Sequence, residues 1–165
     1  MTGRKASPFN SALETGVRAL SILTASYPKV HDLGRLVQYD YLTVHSADAN
    51  GPPSLHPPLP LRSGELLVRR GLIESGLRLM MSRSLVRREL HANGFLFGAE
   101  DSATSFLDNL SSPYSVALRN RADWVATTFD ELSVEQLDSV VKRLFEAWTI
   151  EFQPSQTRSQ AELPL

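Results

Sequence analysis

The sequence has no cysteine among its 165 residues, which excludes disulfides, a thiol nucleophile and thiolate metal sites. It has no apolar run near the ~18 residues that a membrane-spanning helix needs. The basic start MTGRKASPFN is followed by no apolar stretch, so it does not read as a secretory signal. There is no GxSxG motif, and Gly71, Glu74 and Gly76 follow no strand, so they form no phosphate cradle. The four histidines, His31, His45, His56 and His91, fall in four different elements with no pair at metal-ligand spacing. Lysine is scarce, three against fourteen arginines, a composition typical of GC-rich bacterial genomes and not a mechanism. No catalytic residue, metal or cofactor is expected, and a cytoplasmic protein fits this usage best.

What is present suffices for a folded domain. Hydrophobic residues make up 42% and charged residues 21%, so a core can form. The net charge of −1 gives no overall pull toward nucleic acid. The charge is uneven, however. Residues 62–88 carry seven arginines against Glu65 and Glu74, a local +5, whereas residues 100–165 carry eleven acids against five bases, a local −6.

Periodicity places a helix from Ser11, where Ser11 and Glu14 form a capping box, to Tyr27-Pro28. A second follows Asp32 as N-cap, with Leu33, Leu36, Val37, Tyr41 and Val44 as its stripe. The segment 47–62 holds five of the ten prolines and can be neither helix nor central strand. Its Leu55, Leu59 and Leu61 mark it as an ordered arm. A third helix, capped by Ser63, runs to about Ser82 with Leu66, Val68, Leu72, Ile73, Leu77, Leu79 and Met80 on one arc. Glu65 and Arg69 are four apart in the favourable order for a partly buried ion pair, and Gly76 permits a close helix crossing. Asn93-Gly94 signals a hairpin with a type I′ turn, pairing Leu90 with Phe97 on an inner face and turning Arg87, Glu89 and His91 outward. Three further helices follow: one near Ser102–Leu110, one opened by Ser112-Pro113, and one opened by the capping box Ser133–Gln136.

Three helices followed by a hairpin have the order of a winged-helix domain. The expectation is a mainly α protein: a flexible N-terminus over 1–10, a winged-helix-like domain over 11–110 with its arm at 47–62, a C-terminal helical extension over 111–151 and a tail over 152–165. The candidate DNA-contacting residues are Arg78, Arg83, Arg87 and Arg88, with Arg62 and Arg70 secondary, since arginine makes forked contacts to phosphate and guanine. Glu74 and Glu89 dilute that set. The candidate partner-binding residues are Leu55, His56, Leu59 and Leu61 of the arm, with Trp148 and Phe152 near the end.

The run from Gly51 to Val86, GPPSLHPPLPLRSGELLVRRGLIESGLRLMMSRSLV, resembles the middle component of bacterial ABC three-component systems. The small third subunit of some Lamassu-type antiphage defence systems is similar. The resemblance takes in Leu36–Leu42, Val44-His45-Ser46, Phe106-Leu107 and Ser112-Pro113-Tyr114. It covers roughly residues 15–130, and Ser54–Pro60 is its most specific part. His56, Leu59 and Arg62 match the signature loop. The resemblance implies a non-catalytic adaptor in an antiviral defence complex. Such a subunit would bridge an SMC/ABC-like, DNA-sensing ATPase to an effector, generally a nuclease, and help restrain it. The alternative reading of the residues is a winged-helix transcription regulator that binds DNA as a dimer.

Overall fold

The computed structural model describes residues 11–58 and 64–151, with side chains described up to residue 147. The helices start where side chains satisfy their first backbone N–H groups. Ser11 Oγ accepts from Glu14 N–H at 3.1 Å and opens α1 (Ala12–Ser26). Asp32 Oδ1 accepts from Arg35 N–H at 2.7 Å and opens α2 (Leu33–Val44). After a single 3₁₀ turn at Ser46–Ala49 and the arm comes α3 (Glu65–Ser82); the expected cap at Ser63 lies outside the described residues. The hairpin strands are β1 (Val86–His91) and β2 (Gly94–Ala99). Then follow α4 (Ser102–Asp108), α5 (Pro113–Phe129), capped by Ser112, and α6 (Val134–Glu151). At α6 the box is reciprocal: Gln136 N–H donates to Ser133 Oγ and Ser133 N–H to Gln136 Oε1.

The architecture is mainly helical with a winged-helix-like arrangement. Its hairpin is joined to the helices through backbone: His31, between α1 and α2, exchanges N–H···O bonds of 2.9 and 2.8 Å with Phe97. That bridge lies on the edge of β2 away from β1 and ties the wing to the start of α2.

The hairpin differs in register from the sequence expectation. Leu90 pairs with Phe95, and Phe97 pairs with Arg88. The loop is Ala92-Asn93, and neither residue has positive φ; Gly94, at +120°, takes that role. The shift is two residues along one strand, which exchanges partners while keeping the sidedness of each strand. Phe97 is anchored over the core beside Val86 and Ala99, so Leu90 falls near the tip and is 75% exposed instead of lying on an inner face.

The buried face of α3 also differs from the expected arc. It holds Arg69, Ile73, Gly76, Leu77 and Met80, whereas Val68 is 63% exposed. The cause is the crossing with α1. A Cβ on Gly76 would lie 2.6 Å from Gly16 N, and one on Gly16 would lie 2.9 Å from Gly76 O. The two backbones touch, and this contact rotates Val68 away from the core. One hydrophobic core runs through the described residues, from Leu20, Leu23, Leu36 and Leu42 to Val125 of α5 and Leu137 of α6.

Candidate functional site

Three helices each send one charged side chain to a point inside the core. Arg18 of α1 donates from Nε to Asp40 Oδ1 of α2 at 2.8 Å and from Nη2 to Oδ2 at 3.3 Å. Arg69 of α3 donates from Nη1 to Asp40 Oδ2, and its Nη2 lies 3.0 Å from Glu65 Oε1. Arg18, Asp40 and Arg69 are all buried. Burial alone would push the Asp40 carboxyl up; Arg18 and Arg69 more than reverse this and hold it below the usual carboxylate range. Burial pulls on Arg18 as well, and Asp40 overcomes it, so the guanidinium is held above its ordinary value. Two cations and two anions balance, which is what makes the buried cluster tolerable. The Arg69 guanidinium also lies 5.4 Å from the Tyr41 ring centroid.

The arm is laid against this cluster. The Val44 carbonyl accepts from both Leu55 N–H and His56 N–H, at 3.0 and 3.1 Å. Ser46 Oγ donates to Pro52 O at 2.9 Å, Ala47 N–H donates to Ser54 Oγ at 3.1 Å, and Arg121 Nε of α5 donates to Pro53 O at 2.9 Å. Gly51 sits on the Trp124 indole, with no room for a Cβ. His56 stacks on Tyr114 of α5 with ring centroids 6.0 Å apart, and His56 Nε2 lies 2.7 Å from the Tyr114 hydroxyl. Burial, reinforced by the nearby Arg18 and Arg69, pushes His56 down to about 4. Burial pushes the Tyr114 phenol up. Both groups are therefore neutral near pH 7.

A second polar knot closes the opposite end. Asp130, just past α5, accepts from Tyr39 OH at 2.8 Å and Ser26 Oγ at 3.2 Å. His31 Nε2 lies 2.8 Å from Ser26 Oγ and 3.4 Å from Asp130 Oδ1. Arg35 donates from Nη2 to the carbonyls of Phe129 and Leu132, at 2.7 and 2.9 Å, which closes the C-terminus of α5. Burial pushes His31 down to about 4.

These arrangements position elements and offer little for chemistry. Both Asp40 oxygens are taken by guanidinium donors in the core, so the carboxylate cannot serve as a base. Among the described residues no three His, Asp or Glu side chains gather where they could hold a metal ion, and no helix is long and apolar enough to cross a membrane.

The residues singled out from sequence are distributed as follows. Leu55 and His56 are half-buried in the arm. Leu59, Leu61, Arg62 and Phe152 lie outside the described residues, as does the side chain of Trp148. Glu65 and Arg69 form their ion pair, with Asp40 as a further partner. Arg78 and Arg83 are exposed near the end of α3. Arg87 is engaged by Glu89 Oε1 at 3.0 Å and Ala99 O at 2.6 Å. Arg88 packs its guanidinium 4.3 Å from the Phe95 ring centroid. Sequence reasoning missed Arg18, Asp40, Tyr114 and the Asp130 knot. One signal was available: Asp40 stands alone among Tyr39, Tyr41 and Leu42 on a helix, where an acid needs a buried partner.

The outer surface adds a complementary observation. Leu67 is 78% exposed and Val68 63% exposed on α3, and Leu90 and Phe95 lie open near the wing tip. Comparison with known proteins finds no matching curated protein and no matching solved structure. The model of one family, described as ABC-three component (ABC-3C) system Middle Component 2, matches residues 8–151, and the chain belongs to that family.

Proposed function

We propose that this middle component is a non-catalytic, cytoplasmic adaptor of an antiviral defence complex of the Lamassu kind. It joins an SMC/ABC-like, DNA-sensing ATPase to an effector, a nuclease, and helps hold that effector inactive. Membership of a three-component family supports work alongside two other components. The observation that carries the adaptor role is a body cross-tied by buried ion pairs whose most exposed apolar side chains among the described residues, Leu67 and Leu90, sit on α3 and the wing. Such side chains on a rigid frame suit binding to other proteins. Leu55 and His56 of the arm remain candidates for partner contact, together with Leu59, Leu61, Trp148 and Phe152. The test is to purify the chain with the other two components of its system. A stable ternary complex supports the reading, and failure to bind either component refutes it.

A DNA-binding reading has one observation in its favour: Arg78, Arg83 and Arg88 are exposed on the third helix and the wing, where a winged-helix protein meets DNA. It requires salt-dependent binding of a short duplex by the chain alone, weakened by Arg83→Ala, Arg87→Ala and Arg88→Ala together. The engagement of Arg87 and the exposure of Leu67 and Val68 on α3 favour the adaptor.

A further inference from the structure

Gly71 stands in the middle of α3 with no internal reason to be glycine. It is exposed, and a Cβ added there would meet nothing within 4 Å. A glycine in a helix interior costs about 1 kcal/mol relative to alanine. Gly76, on the other side of the same helix, shows what offsets that cost, because α1 crosses there backbone to backbone. At 100° per residue, Leu67, Gly71 and Arg78 fall on one outward strip, with Val68 and Arg70 at its two edges. This strip thus has two exposed aliphatic side chains, a flat glycine step one turn along, and arginines beside it. Glu74 also lies on the strip, but it is matched by Arg70 at 3.8 Å. Arg78, which donates only to Ser75 Oγ at 3.3 Å among the described bonds, leaves the strip net positive.

We infer that this outer face of α3 is a docking surface for an amphipathic helix of another component, seated over Gly71 between Leu67 and Val68 and carrying acidic residues beside its apolar stripe. The glycine selects the geometry. A helix laid across Gly71 can approach closely because no side chain intervenes there. The uncompensated arginine selects the charge. The assignment rests on the adaptor reading and deepens it by naming the surface and the chemistry that it meets.

The experiment measures binding of the full-length chain to each of the two purified companion components at two salt concentrations, for wild type, Leu67→Asp, Gly71→Leu and Arg78→Glu. Gly71→Leu is the decisive variant. It replaces a poor helix former by a good one in open space, so it should melt at or above the wild-type temperature, and a loss of binding cannot be laid to unfolding. The expected result is at least an about tenfold loss for Leu67→Asp and Gly71→Leu toward the same component. A smaller loss is expected for Arg78→Glu, narrowing as salt rises. If wild type binds a component and both Leu67→Asp and Gly71→Leu bind it unchanged, the surface is wrongly assigned and the adaptor reading stands. If wild type binds neither, the adaptor reading fails and this inference with it. If the variants keep component binding but lose a short DNA duplex, the face belongs to DNA and the inference is overturned.

Discussion

Gly16 of α1 and Gly76 of α3 meet backbone to backbone, at a separation that leaves no room for a Cβ on either residue. This contact lets the two helices bring Arg18 and Arg69 to the same carboxylate, Asp40. Close packing and the buried charge cluster are thus one feature of the fold: the first sets the helix spacing that the second requires.

Gly76→Ala should therefore destabilise the chain by about 1–3 kcal/mol through overpacking, because the nearest atoms are backbone and cannot swing aside. Gly71→Ala, on the opposite face of the same helix, should stabilise by about 0.5–1 kcal/mol. Urea unfolding of the two variants checks the sign of each change. Equal effects would mean that the α1–α3 crossing is looser than described.

Removing the anion should be worse than removing the whole cluster. Asp40→Ala leaves two buried guanidiniums facing each other and should cost about 3–5 kcal/mol. Replacing Arg18, Asp40 and Arg69 by Met, Leu and Met together with Glu65→Gln, since Glu65 would otherwise lose its Arg69 partner, leaves no unpaired buried charge, so that variant should unfold at higher denaturant than Asp40→Ala. The comparison of the two midpoints is the measurement.

Stability should fall on mild acidification. His31 and His56 are both pushed down to about 4 by burial, against about 6.5 in an unfolded chain. The unfolded state thus takes up protons first. The contribution of both residues is fully present above about pH 6.5 and is lost progressively as the pH falls toward 4. Denaturation midpoints measured across this interval should decline, and His56→Gln should flatten part of the slope. An unchanged slope in His56→Gln would place the titrating group elsewhere.

The wing tip should be dispensable for folding. Leu90 and Phe95 are exposed, so Leu90→Ser with Phe95→Ser should change stability by less than about 0.5 kcal/mol each. On the adaptor reading the same pair weakens assembly with the companion components. Thermal melts and binding measured on one preparation separate the two effects.

Much of the frame is legible in the chain because its signals are local. Ser11, Asp32, Ser112 and the Ser133–Gln136 box mark helix starts through groups three residues apart, and each forms the expected bond. The hairpin is legible in kind but not in register. A turn rule reads only Asn93-Gly94, whereas the pairing is decided by Phe97, which the core and the His31 backbone hold in place. The Glu65–Arg69 spacing is visible on one helix, but Asp40 reaches Arg69 from another. The same holds for His56 and Tyr114, which meet across 58 residues. Such long-range polar contacts leave no periodic trace, and the isolated acid between Tyr39 and Tyr41 is the nearest thing to a warning.

On the adaptor reading, this middle component holds the other two components together. The most direct test is the solution mass, by light scattering, of the ATPase and effector mixed with and without the purified chain. A single assembly containing all three is expected when the chain is present, and separate ATPase and effector when it is left out. An ATPase–effector assembly that forms unaided, with this chain eluting alone, would contradict that reading.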